Sequence, residues 1–246
     1  MPAPPATDWD AFDAEIEVLA LKCGFQPASP PSAAFHAWRK PGNGRRIYLS
    51  AGIHGDEPAG PVAVMQILEE PWLAASSDDW TICPALNPTG LRAGTRENSP
   101  QGIDLNRDYQ RRESPEVAAH AEWLLDQPAP DLFLSLHEDW ETTGFYFYEI
   151  NLRPDDPARA QAILAATSAI IPTEPALVID DHPVRQPGWI HHAADADLPN
   201  EWPEAIFLAK NGCPLSFTFE TPSQAPLEKR VATHVAAVRT AVAGPQ

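Results

Sequence analysis

The sequence is poor in basic residues and in cysteine, and it contains no long apolar run. Lys and Arg together number 17 against 34 Asp and Glu, which gives a formal net charge of −17. Such a surface repels phosphates and anionic lipids, so we expect no binding to nucleic acid or to a membrane surface. No stretch approaches the roughly 20 apolar residues of a membrane-spanning helix.

The cysteines and the first residues predict a reduced, cytoplasmic protein. Three cysteines are an odd number, and they have no C-x-x-C spacing, which argues against a disulfide framework. The first positive charge is Lys22, and acidic residues interrupt the segment before it. A secretory signal peptide needs a basic start and an apolar run, so none is predicted.

Segments typical of strands alternate with segments typical of helices along all 246 residues. We predict one domain spanning 1–246, because no linker or internal repeat divides the chain. Strands are predicted at 46–51, 80–86, 131–136, 145–150 and 215–219, and a turn at 87–90. Helices are predicted at 8–23, 58–70, 115–126, 157–171, 203–211 and 227–243. This alternation predicts an α/β layered fold.

Polar residues follow three of the predicted strands: His54 the first, His137 the third and Glu220 the last. Ligands bind at the carboxyl edge of parallel strands, so we expect these side chains to converge there. His54 and Glu57 form an H-x-x-E pair, and zinc accepts such nitrogen and oxygen ligands. The pair arises readily by chance and could be a solvated loop, just as a lone His137 could be structural.

Two arginines and a carboxylate complete the candidate chemistry. An Arg107 fork beside Asn106 can bind a carboxylate, and a separate Arg96 can polarise a carbonyl. The alternative for Arg107 is a structural ion pair with a neighbouring aspartate. Glu220 can act as a general base beside a metal-bound water, or it can cap the last helix.

Four short sequence motifs follow one another along the chain, each at or after the end of a predicted strand. They are HGDE (54–57), NPTGL followed by GTREN and GIDLNRDY (87–109), SLHE (135–138) and FTFETPS (217–223). With them the chain resembles the M14 (funnelin) zinc carboxypeptidases, especially the short bacterial cytosolic branch. The resemblance implies a single-domain α/β fold with a mixed, mostly parallel β-sheet flanked by helices.

The resemblance also implies a role for each matching residue. One zinc ion per chain is bound by His54, Glu57 and His137. Arg96, preferred over Arg92, polarises the scissile carbonyl, and Glu220 is the general base and then the acid. The terminal carboxylate of the substrate is held by Asn106 and Arg107.

The sequence departs from the family where many members place a tyrosine that closes over the substrate. No tyrosine lies between Glu149 and Glu220. Tyr146 is the candidate that we assign to substrate binding, with Tyr148 as a competitor. Two alternatives are that the role is lost, or that a different lid is supplied by the loop with Trp189, His191, His192 and Trp202. His192 and Asp195, in an acidic loop, form only a weak metal-like pair.

These residues predict a zinc metallocarboxypeptidase whose partner is a peptide with a free C-terminus. One alternative is a zinc amidase or deacylase of the same fold, acting on murein peptides or on N-acyl amino acids. Another alternative is a metal- or peptide-binding protein without turnover. Glu220 speaks against the latter, because metal binding does not require it. The sequence does not predict an oligomeric state.

Overall fold

The structure, a computed structural model, describes residues 7–30, 33–98 and 101–244. The helices within these ranges are α1 (Trp9–Lys22), α2 (Ala59–Glu69), α3 (Pro71–Ala74), α4 (Pro88–Ala93), α5 (Pro115–Leu125), α6 (Ala158–Thr167), α7 (Glu204–Lys210) and α8 (Leu227–Ala243), with a short 3-10 helix at Leu105–Arg107. The strands are β1 (Gln26–Pro27), β2 (Trp38–Lys40), β3 (Arg46–Ala51), β4 (Asp79–Cys83), β5 (Leu132–Asp139), β6 (Tyr146–Asn151), β7 (Val178–Ile179), β8 (His182–Pro183), β9 (Trp189–His191) and β10 (Leu215–Pro222).

The main sheet has the strand order β1-β2-β4-β3-β5-β10-β6-β9. Its four central strands, β4, β3, β5 and β10, run parallel to one another, while β2 and β6 pair antiparallel at either side. The carboxyl ends of the four central strands therefore lie at one edge. The predicted single-domain, mixed and mostly parallel α/β fold is confirmed.

Helices cover both faces of the sheet, as the buried parallel strands require. Along β3, Leu49 packs into a core with helices α1, α2, α6 and α8, whereas Tyr48 points to a second core with α5 and α7. Five of the six β3 residues are buried, which explains why this segment is apolar throughout rather than alternating. No helix of the described chain has the length and apolar character needed to cross a bilayer.

Several element boundaries differ from the prediction. The predicted turn at 87–90 begins helix α4, because the Asn87 side chain accepts a hydrogen bond from the Gly90 N–H and Pro88 stands at the first helical position. Strands β5 and β10 continue past their predicted ends, since their ladder pairs through Asp139 and Pro222. The segment predicted as strand to 86 leaves the sheet at Cys83.

A buried polar network joins α7 to β3. The Glu204 carboxylate is 1% exposed and accepts hydrogen bonds from Tyr48 Oη at 2.9 Å and Ser50 Oγ at 2.7 Å. The Tyr48 hydroxyl also lies 3.0 Å from His120 Nε2. Burial raises the pKa of Glu204 from 4.5 to about 7, and the two hydroxyl donors offset this only in part. The acid is therefore held in its neutral form more readily than in the unfolded chain.

Replacing Glu204 with Gln should change how stability depends on pH. Because folding raises the pKa, the favourable contribution of the protonated acid is complete below about 4.5 and is lost as pH rises through about 7. Glu204→Gln should match the wild type near pH 4.5 and become the more stable protein at pH 8, by up to roughly 3 kcal/mol.

The measurement is urea unfolding at both pH values, with the exposed Glu122→Gln as the matched control. An equal loss of stability in Glu204→Gln at every pH would show that the carboxyl group does not titrate between the folded and unfolded states.

Candidate metal centre and active site

Glu57 joins two imidazoles in a buried cluster at the carboxyl edge of β3 and β5. His54 Nδ1 lies 2.5 Å from Glu57 Oε1, and His137 Nδ1 lies 3.0 Å from Glu57 Oε2. The three side chains are at most 5% exposed, and their candidate donor atoms all lie within 4.8 Å of one another. The fold thus brings together the three residues predicted to bind metal.

Two glycines shape the loop that presents His54. Gly52 has a φ of +64°, which lets the chain turn sharply out of β3. Gly55 packs directly on α4, where a Cβ atom would lie 2.0 Å from the carbonyl carbon of Gly90. A side chain at 55 would therefore push the loop away from α4 and displace His54.

Asp104 and Arg96 contact the cluster through His54 and Glu57. Asp104 Oδ1 lies 3.1 Å from His54 Nε2, and its Oδ2 accepts a hydrogen bond from Arg96 Nε at 3.2 Å. Arg96 Nη1 donates to Glu57 Oε1 at 3.3 Å, while the Glu138 N–H donates to Glu57 Oε2 at 3.1 Å. A carboxylate on the far nitrogen is the usual way in which a metal-binding histidine is oriented.

The electrostatics suit a bound cation. Burial alone would lower the pKa of His54, but the Glu57 charge and the hydrogen bonds to Asp104 and Glu57 outweigh it and raise that pKa to about 9. Burial likewise opposes ionisation of Glu57, yet the two imidazoles hold its pKa below the ordinary value. Burial lowers the pKa of His137, against the pull of Glu57.

The residues present fit a zinc ion. They offer two imidazole nitrogens and one anionic carboxylate in a buried site, which is the set of ligands that catalytic zinc takes from proteins. Both Nδ1 atoms face the carboxylate, so a cation could replace the imidazole protons between them. The structure supports a metal at this centre, and zinc is the ion that the ligand chemistry favours.

Asn106 and Arg107 lie in the short 3-10 helix beside the cluster. Asn106 Oδ1 accepts a hydrogen bond from the Glu204 N–H at 3.0 Å, so its Nδ2 amide is the group left for a ligand. Arg107 Nη1 donates to the Asn106 carbonyl at 3.0 Å. Within the described ranges no carboxylate lies within 4.0 Å of the Arg107 guanidinium, so the structural ion pair considered for it does not form.

Glu220 lies on β10 directly between His137 on β5 and Tyr146 on β6 in the strand register. Burial and the charges of Glu57, Asp139 and Asp180 raise the pKa of Glu220 well above its ordinary value, and Arg96 offsets them in part. The Tyr146 ring is 1% exposed, and its hydroxyl donates to Asp139 Oδ2 at 3.1 Å. A ring packed this tightly in a strand is not a swinging lid, although it can still contact substrate.

One cavity of about 520 Å³, a size usual for small-ligand sites, is bordered by the predicted site residues His54, Glu57, Arg96, Asn106, Arg107, His137, Tyr146 and Glu220. Arg92, the competitor of Arg96, instead contacts Asp10 and Asp13 at the surface. The sequence analysis missed Asp104 as the partner of His54. It also missed Trp140 and Leu198, exposed by 68% and 56%, at the cavity wall. The position of Asp104 in the GIDLNR segment was the available signal for the first. Nothing in the sequence marked the other two.

Comparison with known proteins agrees with this geometry. Residues 43–240 match the family model for the succinylglutamate desuccinylase/aspartoacylase catalytic domain. Among curated proteins there was no match.

Two crystal structures of proteins described as a "putative metallopeptidase" superpose with TM-scores of 0.81. The protein from Shewanella amazonensis is 25% identical, with 96% of this chain and 92% of that chain covered. The protein from Shewanella denitrificans is 26% identical, with 96% and 90% covered.

A succinylglutamate desuccinylase from Silicibacter shares the fold at 19% identity, with a TM-score of 0.57 and 89% of this chain and 64% of that chain covered. The predicted zinc carboxypeptidase-like fold is confirmed, and the family model that matches is that of the succinylglutamate desuccinylase/aspartoacylase catalytic domain.

Replacing His137 with Ala should abolish tight metal binding at this centre. The variant keeps Glu57 and His54 but loses one of three ligands, and loss of a supporting contact alone weakens metal affinity by about 10–100-fold. We therefore expect the affinity to fall by more than about 100-fold. Zinc titration against a competing chelator measures it, with the exposed His36→Ala as control. Unchanged affinity in His137→Ala would contradict the ligand set.

Proposed function

We propose that this chain, which belongs to the succinylglutamate desuccinylase/aspartoacylase catalytic-domain family, is a zinc metallocarboxypeptidase that hydrolyses the last peptide bond of its substrate. The observation that carries the proposal is the arrangement of one cavity. The triad of His54, Glu57 and His137 borders it together with Glu220 and with Arg107, whose guanidinium has no carboxylate of the described chain within 4.0 Å. The three buried cysteines are free thiols, which supports the proposed cytoplasmic location.

Asn106 and Arg107 would bind the substrate's terminal carboxylate. The Arg107 guanidinium supplies charge and parallel donors, and the Asn106 amide, oriented through Oδ1, supplies another N–H. Charge-assisted hydrogen bonds of this kind contribute about 1.5–3 kcal/mol. Their position in the wall of the cavity would place the bond to be cleaved beside the metal ligands.

Glu220 and Arg96 would carry out the chemistry beside the metal. When bound, zinc lowers the pKa of a coordinated water towards about 7 and polarises the substrate carbonyl. Glu220 would accept the proton of the attacking water and return it to the leaving amine. Arg96 donates through Nε and Nη1, so its Nη2 group is left for the developing oxyanion.

Replacing Glu220 with Gln should separate metal binding from turnover. The amide keeps the shape of the side chain but cannot accept the proton, so kcat should fall by about 10²–10⁴ while zinc remains bound. Glu141→Gln, at another carboxylate of the cavity wall, is the matched control and should stay active. Near wild-type turnover by Glu220→Gln would exclude it as the base.

The second candidate function is removal of the acyl group from an N-acyl amino acid. The matched family favours it, since its description names a desuccinylase and an acylase. Both reactions release an amino acid with a free carboxylate, so they differ on the acyl side. The exposed Trp140 and Leu198 add apolar surface to the cavity wall, which favours a peptide over a small charged acyl group.

One substrate panel tests both functions. N-acyl dipeptides and N-succinyl and N-acetyl amino acids, each with a free or amidated C-terminus, are compared by kcat/KM. The wild type should prefer the dipeptides, and amidation should lower its activity at least tenfold, which takes about 1.4 kcal/mol. Arg107→Gln should lose that discrimination, whereas the surface variant Arg92→Gln should keep it.

Two results of the panel would contradict the proposal. Preference for the succinyl or acetyl amino acids would identify a deacylase. Equal cleavage of free and amidated dipeptides would show that Asn106 and Arg107 do not recognise the terminal carboxylate. The assignment as a carboxypeptidase would then be wrong.

A further inference from the structure

A second group of metal-ligating side chains lies at the cavity wall, apart from the triad. It consists of His182, His192 and Asp197, whose donor atoms lie within 4.8 Å of one another. We propose that these three residues bind a second divalent metal ion, most favourably zinc, which joins two segments that form the wall of the substrate cavity. Two imidazoles and one carboxylate are ligands that zinc and its neighbours in the first transition row accept.

The distances fit a shared cation better than direct pairing. His182 Nε2 lies 3.4 Å from Asp197 Oδ2, and His192 Nε2 lies 3.9 Å from Asp197 Oδ1. Both exceed the 2.7–3.2 Å of ordinary N–H···O hydrogen bonds. Ligand atoms about 2.1 Å from a tetrahedral zinc are separated by roughly 3.4 Å, which agrees with the first of these distances. A small side-chain rotation would shorten the second distance, from His192 Nε2 to Asp197 Oδ1, to the same value.

Packing holds the two imidazoles side by side. Their ring centroids lie 4.8 Å apart, and Tyr148 packs edge-on against both rings, at 5.8 Å from His182 and 6.1 Å from His192. The His192 N–H also donates to the Glu149 carbonyl at 2.8 Å, which ties that segment to β6. Two of the three ligands are thus oriented before any metal binds.

The charges around the cluster also favour a cation. Throughout the described ranges no Lys or Arg lies within 4.0 Å of the Asp197 carboxylate, because the nearby Lys210 pairs with Asp195 instead. The weak pairing of His192 with Asp195 considered from the sequence is therefore replaced by His192 with Asp197. Asp180 and Glu201 line the same cavity and add negative potential.

The second ion would link the β7–β8 hairpin to the loop that follows β9. His182 belongs to the hairpin, and Asp197 belongs to the loop. Both segments border the substrate cavity, so metal binding would fix the shape of its wall. That consequence for substrate binding rests on the proposed function, whereas the metal site does not.

Metal stoichiometry and affinity of the purified protein test the proposal. Metal-free protein is titrated with Zn²⁺ by calorimetry, and bound zinc is counted by mass spectrometry after dialysis. The wild type should bind two ions, and His137→Ala should keep the ion at the second site. Asp197→Asn should lower the zinc affinity of the second site at least tenfold. The double variant His182→Ala/His192→Ala should not bind zinc at that site.

Matched controls are His191→Ala, next to the cluster, and Asp195→Asn, next to Lys210, and both should bind two ions. Circular dichroism checks that each variant folds. If the double histidine variant unfolds, Asp197→Asn still tests the site, because Asp197 is exposed and its replacement should not disturb the fold. A wild type that binds one ion, lost in His137→Ala, would overturn the second site and leave the first intact. Unchanged affinity at both sites in Asp197→Asn would overturn it as well.

Discussion

The buried carboxylate of Glu57 is the interaction on which the rest of the site depends. Its two oxygens face His54 from the loop after β3, His137 from β5, the Arg96 side chain and the Glu138 N–H. An ionised carboxylate removed from water is costly unless cations and donors surround it. Here three segments of the chain supply those partners at once: the loop after β3, the Arg96 loop and β5. Any shift of β3, β5 or α2 relative to one another would leave this charge unpaired.

The parallel register of the central strands makes this meeting possible. Pairing of β5 with β10 sets His137 beside Glu220, and pairing of β3 with β5 brings the His54 loop to the same edge. His137 and the proposed base therefore stand on buried central strands, and His54 and Glu57 lie in the loop directly after a third such strand, which favours fixed geometry. The substrate cavity, by contrast, is completed by loops and the short β7–β8 hairpin, where variation in side chains can alter specificity without disturbing the sheet.

The fold class and the convergence of His54, Glu57 and His137 could be predicted from the sequence. Both depend on local features, namely the spacing of His54 and Glu57 and the position of each histidine at the end of a strand. The sequence could not predict that Asp104 contacts His54, a contact across 50 positions that only the tertiary fold creates. Extension of β5 to Asp139 came from pairing with β10 rather than from local propensity. Asp197 and Trp140 carried no periodic or motif signal, since their importance comes from the cavity that they border. The roles of Arg96, Asn106, Arg107, Tyr146 and Glu220 stay predictions that rest on position.

The most direct measurement of the central claim is a crystal structure of the zinc-loaded protein with anomalous data at the zinc edge. We expect an anomalous peak within about 2.0–2.2 Å of His54 Nδ1, His137 Nδ1 and a Glu57 oxygen. Glu220 should approach the ion only through a water molecule. Absence of a peak at His54, Glu57 and His137, or direct ligation by Glu220 in place of Glu57, would contradict this metal centre.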